Sequence, residues 1–292
     1  MILVAGATGF LGREICRRLT AEGRKVRGLV RASSEAEVTA HLKAMGVELV
    51  KGDLRDRASL DIACRGADAV ITTATTTRSR QPGDSIEATD QEGQNNLVAA
   101  AKAEGVRRFV FVSYSKHMDD DGPLTRAKRS VEQSIRESGM RYTILRPTYF
   151  MEMWLSPSLG FDYSNAKATI YGSGNNKVSW VSLADVAQVA VRALDDDGPD
   201  TAVELGGPEA LTPVEVVKIF EETSGKPFSL EHVPEDALRA QRAAATDSLQ
   251  QAFATLMLQL TQGDDIPMRE TLERYGLQFT TVRDYARAVT AA

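Results

Sequence analysis

Three glycines near the start of the chain have the spacing of a turn that binds a diphosphate. They are Gly6, Gly9 and Gly12. The apolar run 2–5 before them predicts a short buried strand, and the apolar spacing within 11–19 predicts a helix. In that setting the first glycine permits a sharp turn, the second lets the backbone approach a pyrophosphate, and the third lets the helix pack closely on the sheet. The phosphates would accept hydrogen bonds from the helix N-terminus, so the sequence predicts a dinucleotide site.

A cation follows the second predicted strand, at the position where dinucleotide sites distinguish NAD from NADP. A site for NAD usually offers a carboxylate to the ribose at this point, whereas a site for NADP offers a cation to the 2′-phosphate. The residue here is Arg31, and Ser33 or Ser34 can add a hydrogen bond. Glu35 and Glu37 come too late to bind the ribose hydroxyls. The sequence therefore predicts NADP(H) in preference to NAD(H); the alternative is a solvated arginine at the end of a strand.

Lys128 is the basic residue whose position most suggests chemistry. It falls on the apolar face of a predicted helix, while Arg129, Glu132 and Arg136 fall to the side or opposite. A lysine that points inward needs a polar partner, because an unpaired buried charge is costly. A bound ribose or a substrate oxygen would supply that partner. The alternative is a lysine whose stem follows the helix edge to water.

Three residues near the end of the fifth predicted strand are candidates for handling a proton. Ser113 and Tyr114 lie at the strand end, together with Ser115, and Tyr114 is equally suited to packing. None of the three histidines lies in a catalytic pattern, but His117 is close to the same loop. We therefore treat Lys128, Ser113 and Tyr114 as the catalytic candidates.

The elements that must position these residues alternate between strand and helix up to about Pro147. This alternation predicts a parallel sheet covered by helices on both faces, an α/β doubly wound Rossmann fold. Gly105 and Gly139 are placed to end two of the helices. Thr212 and Pro213 are placed to begin a later one. The predicted strands are 2–5, 26–30, 47–51, 69–72, 108–113 and 142–145, followed by a return to the sheet through 178–181, the helix 184–194 and the strand 203–205.

Two lobes follow from this pattern. Residues 1–150 are predicted to form the coenzyme-binding Rossmann domain, with return segments at about 178–206. Residues 151–177 and 207–292 are predicted to form a smaller, mostly helical substrate-binding lobe. The chain has no internal repeat and no long linker, so the lobes are expected to interleave in sequence.

Composition limits the classes of partner. At 292 residues the formal net charge is -5, which argues against general affinity for nucleic acid or for an anionic membrane. Cys16 and Cys64 have no metal-ligand spacing, so we expect two buried or idle thiols in a reducing cytoplasm and no metal site. The first apolar run is broken by glycines, so we expect a strand there and not a signal peptide, and the run 253–260 is too short to span a bilayer. A small-molecule substrate and a monomer or homodimer are expected.

Four stretches resemble the atypical short-chain dehydrogenase/reductases, within them the NmrA-like branch of NADPH-dependent quinone, triphenylmethane-dye and isoflavone-type reductases. The stretches are Gly6-Ala7-Thr8-Gly9-Phe10-Leu11-Gly12, Gly52-Asp53-Leu54, the segment from Gly105 to Ser113, and Tyr142-Thr143-Ile144-Leu145-Arg146-Pro147. A late Gly206-Gly207-Pro208-Glu209 stretch, with Leu211-Thr212, is also similar to this branch. The resemblance spans nearly the whole chain.

The resemblance implies further coenzyme contacts. Asp53 and Leu54 match the loop that contacts adenine, and Thr73 and Ala74 match the loop along the ribose and nicotinamide. Asp53 is, alternatively, a cap for the helix that contains Ser59 and Leu60. The run 148–154 matches the region that flanks the nicotinamide and shapes the substrate pocket, although such an apolar cluster is also typical of core. The candidate coenzyme contacts are Gly6, Thr8, Gly9, Phe10, Leu11, Gly12, Arg31, Asp53, Leu54, Thr73, Ala74, Lys128, Pro147, Tyr149 and Phe150.

The sequence departs from the superfamily at one catalytic position. Conventional members use a tyrosine one helical turn before the lysine, and the residue before Lys128 at that spacing is Leu124. Without the phenol, carbonyl reduction and sugar-nucleotide epimerisation lose their proton donor. The resemblance implies instead an NADPH-dependent reductase that orients hydride donor and acceptor, the acceptor being a small aromatic, quinone-like or enone compound. The alternatives are an NADP(H)-binding redox sensor that acts through a protein partner and a coenzyme-stabilised assembly protein.

Overall fold

Short apolar runs between helices form the strands, as the sequence predicts. The computed structural model describes residues 1–77 and 81–291. Over these ranges the strands are β1 Ile2–Ala5, β2 Val26–Val30, β3 Glu48–Lys51, β4 Ala69–Thr72, β5 Arg108–Val112, β6 Arg141–Pro147, β7 Phe161–Asp162, β8 Lys167–Tyr171, β9 Thr201–Leu205 and β10 Ser229–Val233. Strands β1 to β6 and β9 match predicted strands to within two residues at each end, whereas β7, β8 and β10 were not predicted.

The main sheet has seven strands in the order β3-β2-β1-β4-β5-β6-β9. The pairs from β3 through to β6 are parallel. Every residue of β1 and β4 is buried, as expected for parallel strands that helices cover on both faces. The order reverses beside β1, which is the point where ligands bind in doubly wound sheets. The predicted α/β Rossmann fold is confirmed.

Helices connect most of the strands. In the described ranges they are α1 Phe10–Ala21, α2 Ala36–Ala44, α3 Arg57–Cys64, α4 Gln94–Ala103, α5 Pro123–Glu137, α6 Met151–Trp154, α7 Leu183–Arg192, α8 Pro213–Ser224, α9 Glu235–Ala244, α10 Ser248–Leu260, α11 Arg269–Tyr275 and α12 Val282–Thr290. A π-helix at Ile86–Gly93 leads into α4, and single 3₁₀ turns lie at Lys116–Met118 and Pro157–Leu159.

The predicted helix ends are confirmed by backbone geometry. Gly105 and Gly139, just after α4 and α5, have φ of 74° and 79°, which favours glycine. At the start of α8, the Thr212 hydroxyl accepts a hydrogen bond from the Glu215 N–H, and the Glu215 carboxylate accepts one from the Thr212 N–H. Pro213 occupies the first helical turn, where its missing N–H costs nothing.

The chain forms two compact units that interleave in sequence. The first comprises 1–113, 120–145 and 186–203, and the second 114–119, 146–185 and 204–292. The first has an apolar core of side chains from strands and helices, among them Leu3, Leu97 and Phe109. The second contains the small sheet β10-β8-β7 and a core rich in aromatic side chains. Whether these units serve as coenzyme and substrate lobes remains a prediction.

The predicted return strand at 178–181 is wrong. Val178 forms isolated bridges with Leu211 and Asp264, and Val181 forms one with Phe150. The segment therefore distributes its backbone hydrogen bonds over three separate partners instead of along one neighbouring strand. Its apolar pattern reflects burial, which a bridging segment shares with a strand.

The remaining expectations on composition concern the cysteines and membrane helices. Cys16 and Cys64 are free and buried, and burial raises the pKa of each thiol to about 12. Both thiols are therefore protonated at neutral pH and unreactive, as predicted. No helix within residues 1–77 and 81–291 is both long enough and apolar enough to cross a membrane.

Candidate functional site

The glycine turn has the geometry that its sequence predicts. Gly6 has φ of 82°, and its carbonyl accepts a hydrogen bond from the Gly9 N–H at 2.9 Å. A Cβ on Gly12 would lie 2.1 Å from the Gly6 oxygen, so α1 can reach the turn only without a side chain there. Gly9 precedes α1 without a side-chain cap, which leaves first-turn N–H groups available to an anion. The turn can therefore accept a diphosphate.

The loop after β4 packs directly on this turn. A Cβ on Gly6 would lie 2.7 Å from the Thr73 Oγ1 and 2.8 Å from the Ala74 nitrogen. The Thr73 N–H also donates to the Ala5 carbonyl at 3.0 Å, which continues the pairing of β4 with β1. The structure thus brings the predicted loop residues Thr73 and Ala74 beside the glycine turn.

The other predicted residues of the turn differ in exposure. Leu11 is buried, whereas Thr8 is partly exposed. The Phe10 ring is half exposed, and the Arg13 guanidinium lies 4.9 Å from its centroid. Phe10 therefore offers an accessible apolar surface next to the helix N-terminus.

Arg31 lies in a cluster of charged groups beyond β2. Its guanidinium is 2.8 Å from the Asp84 carboxylate, whose side chain is nearly buried. The Arg55 guanidinium lies 3.7 Å from the other oxygen of Asp84. The Arg31 N–H donates to the Ser34 hydroxyl at 3.0 Å, and the Ser33 hydroxyl hydrogen-bonds to Gln81. Two cations thus converge on one carboxylate, an arrangement that also suits a phosphate.

Asp53 takes part in the same cluster. It forms an ion pair with Arg55 at 2.8 Å, and this hydrogen-bonded guanidinium lowers the pKa of Asp53 despite partial burial. The alternative role as a helix cap is wrong, because Asp56 accepts hydrogen bonds from the first N–H groups of α3. The Leu54 side chain is buried and packs against Gly93 at the end of the π-helix.

Lys128 points inward, as predicted, and is 5% exposed. Its Nζ lies 3.9 Å from the Asp90 Oδ1 and 3.5 Å from the Val112 carbonyl. It also lies 5.1 Å from the Phe111 ring centroid. Burial lowers the pKa of Lys128, and the Asp90 carboxylate opposes that shift. The alternative of a stem that runs to water is therefore wrong.

Asp90, which sequence analysis did not select, is the carboxylate partner of Lys128. It lies on the π-helix, and its Oδ2 accepts hydrogen bonds from the Thr76 N–H at 2.9 Å and the Thr76 hydroxyl at 2.5 Å. Its Oδ1 is buried and has no hydrogen-bond partner within the described ranges. A buried oxygen of this kind is rare in folded proteins and is often found at functional sites. Asp90 therefore holds the ammonium of Lys128 near it without a full hydrogen bond.

Ser113 belongs to a second buried network in the first unit. Its hydroxyl donates to the Glu132 Oε1 at 2.7 Å and accepts from the Arg129 guanidinium at 3.0 Å. The expectation that Glu132 lies away from the buried face is wrong, because its side chain is fully buried. Four residues advance a helix by only about 40° beyond one turn, so Glu132 lies close to the stripe of Lys128. Arg129 and Arg136 both pair with its carboxylate.

The second unit contains a histidine held by a buried carboxylate. The Asp264 Oδ1 lies 3.0 Å from the His117 Nδ1 and 3.1 Å from the Ser115 hydroxyl. Tyr114 is partly exposed and packs against the aromatic core of this unit. The sequence places His117 near the candidate loop but gives no signal for Asp264, because no local pattern links residues so far apart in the chain.

The aromatic run after β6 is largely core. Tyr149 is buried, its ring meets Trp154 edge to face at 4.9 Å, and its hydroxyl donates to the Leu256 carbonyl at 3.1 Å. Burial raises the pKa of Tyr149 well above its ordinary value, with further contributions from Asp264 and Tyr114. Pro147 is buried, whereas Phe150 and Trp154 are partly exposed. The exposed aromatic surface is therefore smaller than the sequence pattern suggests.

Known proteins were compared with the whole chain. The profile of the NmrA-like family matches residues 1–286. The chain is 37% identical over 242 residues to a (4-alkanoyl-5-oxo-2,5-dihydrofuran-3-yl)methyl phosphate reductase of Streptomyces griseus, with 82% of this chain and 79% of that protein covered. It is 32% identical to an NAD(P)H azoreductase of Xenophilus azovorans, with coverage of 78% and 75%.

A solved structure extends the comparison to the fold. The NADPH-dependent quinone oxidoreductase of Escherichia coli, in complex with NADPH, superposes with a TM-score of 0.77. The match covers 99% of both chains at 23% identity. At that identity the likeness establishes a shared fold.

Proposed function

The chain belongs to the NmrA-like family, and from that membership we propose an NADPH-dependent oxidoreductase that reduces a small apolar acceptor. The observation on which the proposal rests is the glycine turn, where a Cβ on Gly12 would fill the space that the backbone of Gly6 occupies. Such close main-chain packing with an uncapped helix start suits a dinucleotide diphosphate. The residue pattern therefore fits the coenzyme that the family uses.

We propose that Arg31 and Arg55 bind the 2′-phosphate. Both guanidinium groups approach Asp84 in the structure, and a phosphate would offer them the same kind of oxygen acceptor. The Ser34 hydroxyl supports the position of Arg31 by accepting a hydrogen bond from the Arg31 backbone N–H. Asp53 and Leu54 are proposed to flank the adenine, as the family resemblance implies.

Bound NADPH supplies the hydride for the reduction. Lys128 is proposed to hold the ribose hydroxyls, since it is the buried cation at the position where the superfamily places one. Asp90 keeps Lys128 oriented from the π-helix. Ser113 is less suited to give a proton than the sequence suggests, because its hydroxyl already donates to Glu132. The protein thus contributes mainly orientation.

The acceptor is proposed to be a quinone-like, enone or other flat aromatic compound. Phe150 and Trp154 are two partly exposed aromatic side chains of the second unit, shortly after β6. Together with Met153 they offer polarizable apolar surface of the kind that such acceptors bind. Tyr149 supports them from the core through its edge-to-face contact with Trp154.

Several broader properties also belong to the proposal. We propose a cytoplasmic protein that acts as a monomer or homodimer and binds no nucleic acid. The net charge of -5 and the two unreactive buried thiols support this setting.

The experiment measures NADPH consumption by purified protein with a panel of quinones, enones and triarylmethane dyes. The wild type is expected to oxidise NADPH with at least one acceptor, and Lys128→Ala is expected to lower kcat. A matched control is Lys102→Ala, which changes an exposed lysine of α4. Tight NADPH binding without oxidation above background for any acceptor would contradict the enzyme and favour the redox sensor.

A further inference from the structure

We propose that His117 donates the proton that completes the reduction and that Asp264 is its positioning residue. This inference rests on the proposed reductase function. It assigns a proton donor to a chain that has Leu124 where conventional members of the superfamily have a tyrosine.

The imidazole has the contacts of a general acid. Its Nδ1 lies 3.0 Å from the Asp264 Oδ1, and the Asp264 side chain is fully buried. With a carboxylate as acceptor, Nδ1 bears a proton and Nε2 is the nitrogen left for a second partner. The His117 side chain is 50% exposed, so that second nitrogen can reach substrate or solvent. A buried carboxylate, an imidazole and an open face form the arrangement that proton-transferring histidines use.

Both partners are held in place from within the second unit. The Asp264 N–H donates to the Lys177 carbonyl at 2.8 Å, and its carbonyl accepts from the Ser179 N–H at 2.9 Å. The Ser115 hydroxyl donates to Asp264 and accepts from the His117 N–H at 3.3 Å. The Gln259 side chain also hydrogen-bonds to the carbonyl of Met118, the residue after His117. These contacts hold the backbone on both sides of the His117–Asp264 pair.

One carboxylate oxygen of Asp264 can still accept a hydrogen bond. Its Oδ2 is buried without a hydrogen-bond partner within residues 1–77 and 81–291. The Tyr149 hydroxyl is near enough to Asp264 for an electrostatic interaction, but it donates its hydrogen to the Leu256 carbonyl. An imidazolium at His117 is the positive charge that would balance this incompletely paired carboxylate.

His117 also lies shortly after a strand of the parallel sheet. His117 follows β5 by five residues, and ligands of doubly wound sheets bind outside the carboxyl ends of the strands. The other candidate, Ser113, directly follows β5 in the chain, but its hydroxyl already donates a hydrogen bond to Glu132. His117 is therefore a titratable side chain after β5 whose Nδ1 is paired with a carboxylate and whose ring is half exposed.

The step balances for a quinone. The acceptor gains a hydride from NADPH at one of its two quinone oxygens, which forms the first O–H bond, and negative charge develops on the other oxygen. The imidazolium of His117 gives its Nε2 proton to that oxygen, so an O–H bond forms as the N–H bond breaks. The products are the hydroquinone and NADP⁺, and the neutral imidazole takes a proton from solvent.

The test compares two kinds of acceptor in wild type and His117→Asn. An asparagine amide can donate to Asp264 from near the position of Nδ1 but cannot transfer a proton. With a quinone, kcat is expected to fall by about 10²-fold, the lower range for general-acid catalysis, while the KM for NADPH is unchanged. A cationic triarylmethane dye becomes neutral on taking hydride alone, so its reduction is expected to continue at the wild-type rate. His41→Asn, on the exposed side of α2, is the matched control.

Two further measurements separate catalysis from structure. The wild type is expected to show a solvent deuterium isotope effect on kcat with the quinone and none with the dye. Asp264→Asn is expected to lower quinone turnover while dye turnover remains, because it acts through the histidine.

Four outcomes would overturn the inference. Equal quinone turnover by wild type and His117→Asn overturns the inference, as does the absence of a solvent isotope effect in the wild type. Parallel loss of both substrates together with weaker NADPH binding shows that His117 is structural and also overturns it. If none of the acceptors supports NADPH oxidation by the wild type, the proposed function is wrong, and this inference is overturned with it.

Discussion

At the level of single residues, basic side chains near the predicted coenzyme site each contact a buried carboxylate. The sequence singled out two of these cations, Arg31 and Lys128, because one follows a strand and the other lies on an apolar helix face. It did not reveal their partners, because those carboxylates are remote in the chain and have no pattern of their own. The pairs are Arg31 with Asp84, Lys128 with Asp90 and Arg129 with Glu132.

Removing the carboxylate of Asp84 should strengthen the binding of NADPH. In Asp84→Asn the Arg31 guanidinium is released from its ion pair with Asp84, so we expect a lower Kd for NADPH and an unchanged Kd for NADH. The free energy of unfolding should fall by about 1–3 kcal/mol, because Arg31 loses a charged hydrogen-bond acceptor and Arg55 loses a nearby negative charge. Fluorescence titration and urea unfolding measure the two effects.

The control is Asp61→Asn, which removes a carboxylate from the half-exposed ion pair with Arg57. Pairs of that kind contribute little, so neither NADPH affinity nor stability should change much. Weaker or unchanged NADPH binding in Asp84→Asn would argue against a phosphate site at this cluster.

Lys128 should make stability depend on pH in the alkaline range. Burial lowers its pKa in the folded state below the value of 10.5 for an exposed lysine. Between these two pKa values the unfolded chain binds more protons than the folded chain, so the free energy of unfolding contributed by this group rises with pH. Lys128→Met should lose that rise, whereas Lys102→Met, at an exposed site, should keep it.

Urea unfolding at several pH values from about pH 8 to about pH 10 measures these slopes. Parallel slopes for wild type and Lys128→Met would mean that the lysine titrates as an exposed group does, contrary to its burial.

At the level of elements, the sequence predicted turns and helix ends correctly where the main-chain geometry requires a particular residue type. It predicted elements less well where tertiary contacts decide the conformation. The glycine turn, the glycines after α4 and α5 and the cap at Thr212 were all foreseen, because each needs a particular residue. The π-helix at Ile86–Gly93 was not predicted; its Asp90 side chain accepts hydrogen bonds from Thr76, a residue of another loop that no local pattern links to it. The segment 178–181 was misjudged because burial alone does not distinguish a strand from a bridge.

The two glycines of the turn should respond differently to alanine. A Cβ on Gly12 would lie 2.1 Å from the Gly6 oxygen, so Gly12→Ala should cost about 1–3 kcal/mol of stability and abolish NADPH binding. A Cβ on Gly9 would meet nothing nearer than 3.3 Å, and its φ of -74° suits any residue. Gly9→Ala should therefore fold normally while binding NADPH more weakly.

Thermal unfolding with and without NADPH measures both variants. Gly23→Ala is unsuitable as a control because that glycine has a positive φ, so the reference is the wild type itself. If Gly9→Ala bound NADPH as tightly as the wild type, the close approach of main chain and diphosphate would be contradicted.

At the level of the whole molecule, alternation of strands and helices predicted the sheet, and family resemblance predicted the activity. The motifs extend from Gly6 to Thr212, and the family profile matches residues 1–286, so one architecture accounts for nearly all of the chain. The acceptor could not be predicted to the same depth. Tyr149, for example, lies in the core. A run of aromatic residues has the same sequence pattern whether its side chains pack in the core or bind a substrate.

The central claim is that the first turn holds the diphosphate of a nicotinamide coenzyme whose 2′-phosphate is bound by Arg31. The most direct test is calorimetric titration of the wild type and Arg31→Ala with NADPH and with NADH. We predict that the wild type binds NADPH more tightly than NADH and that Arg31→Ala loses about 10- to 100-fold in affinity for NADPH only, as expected for a charged hydrogen bond. No heat of binding with either coenzyme, or equal affinity for both in the wild type, would contradict the account.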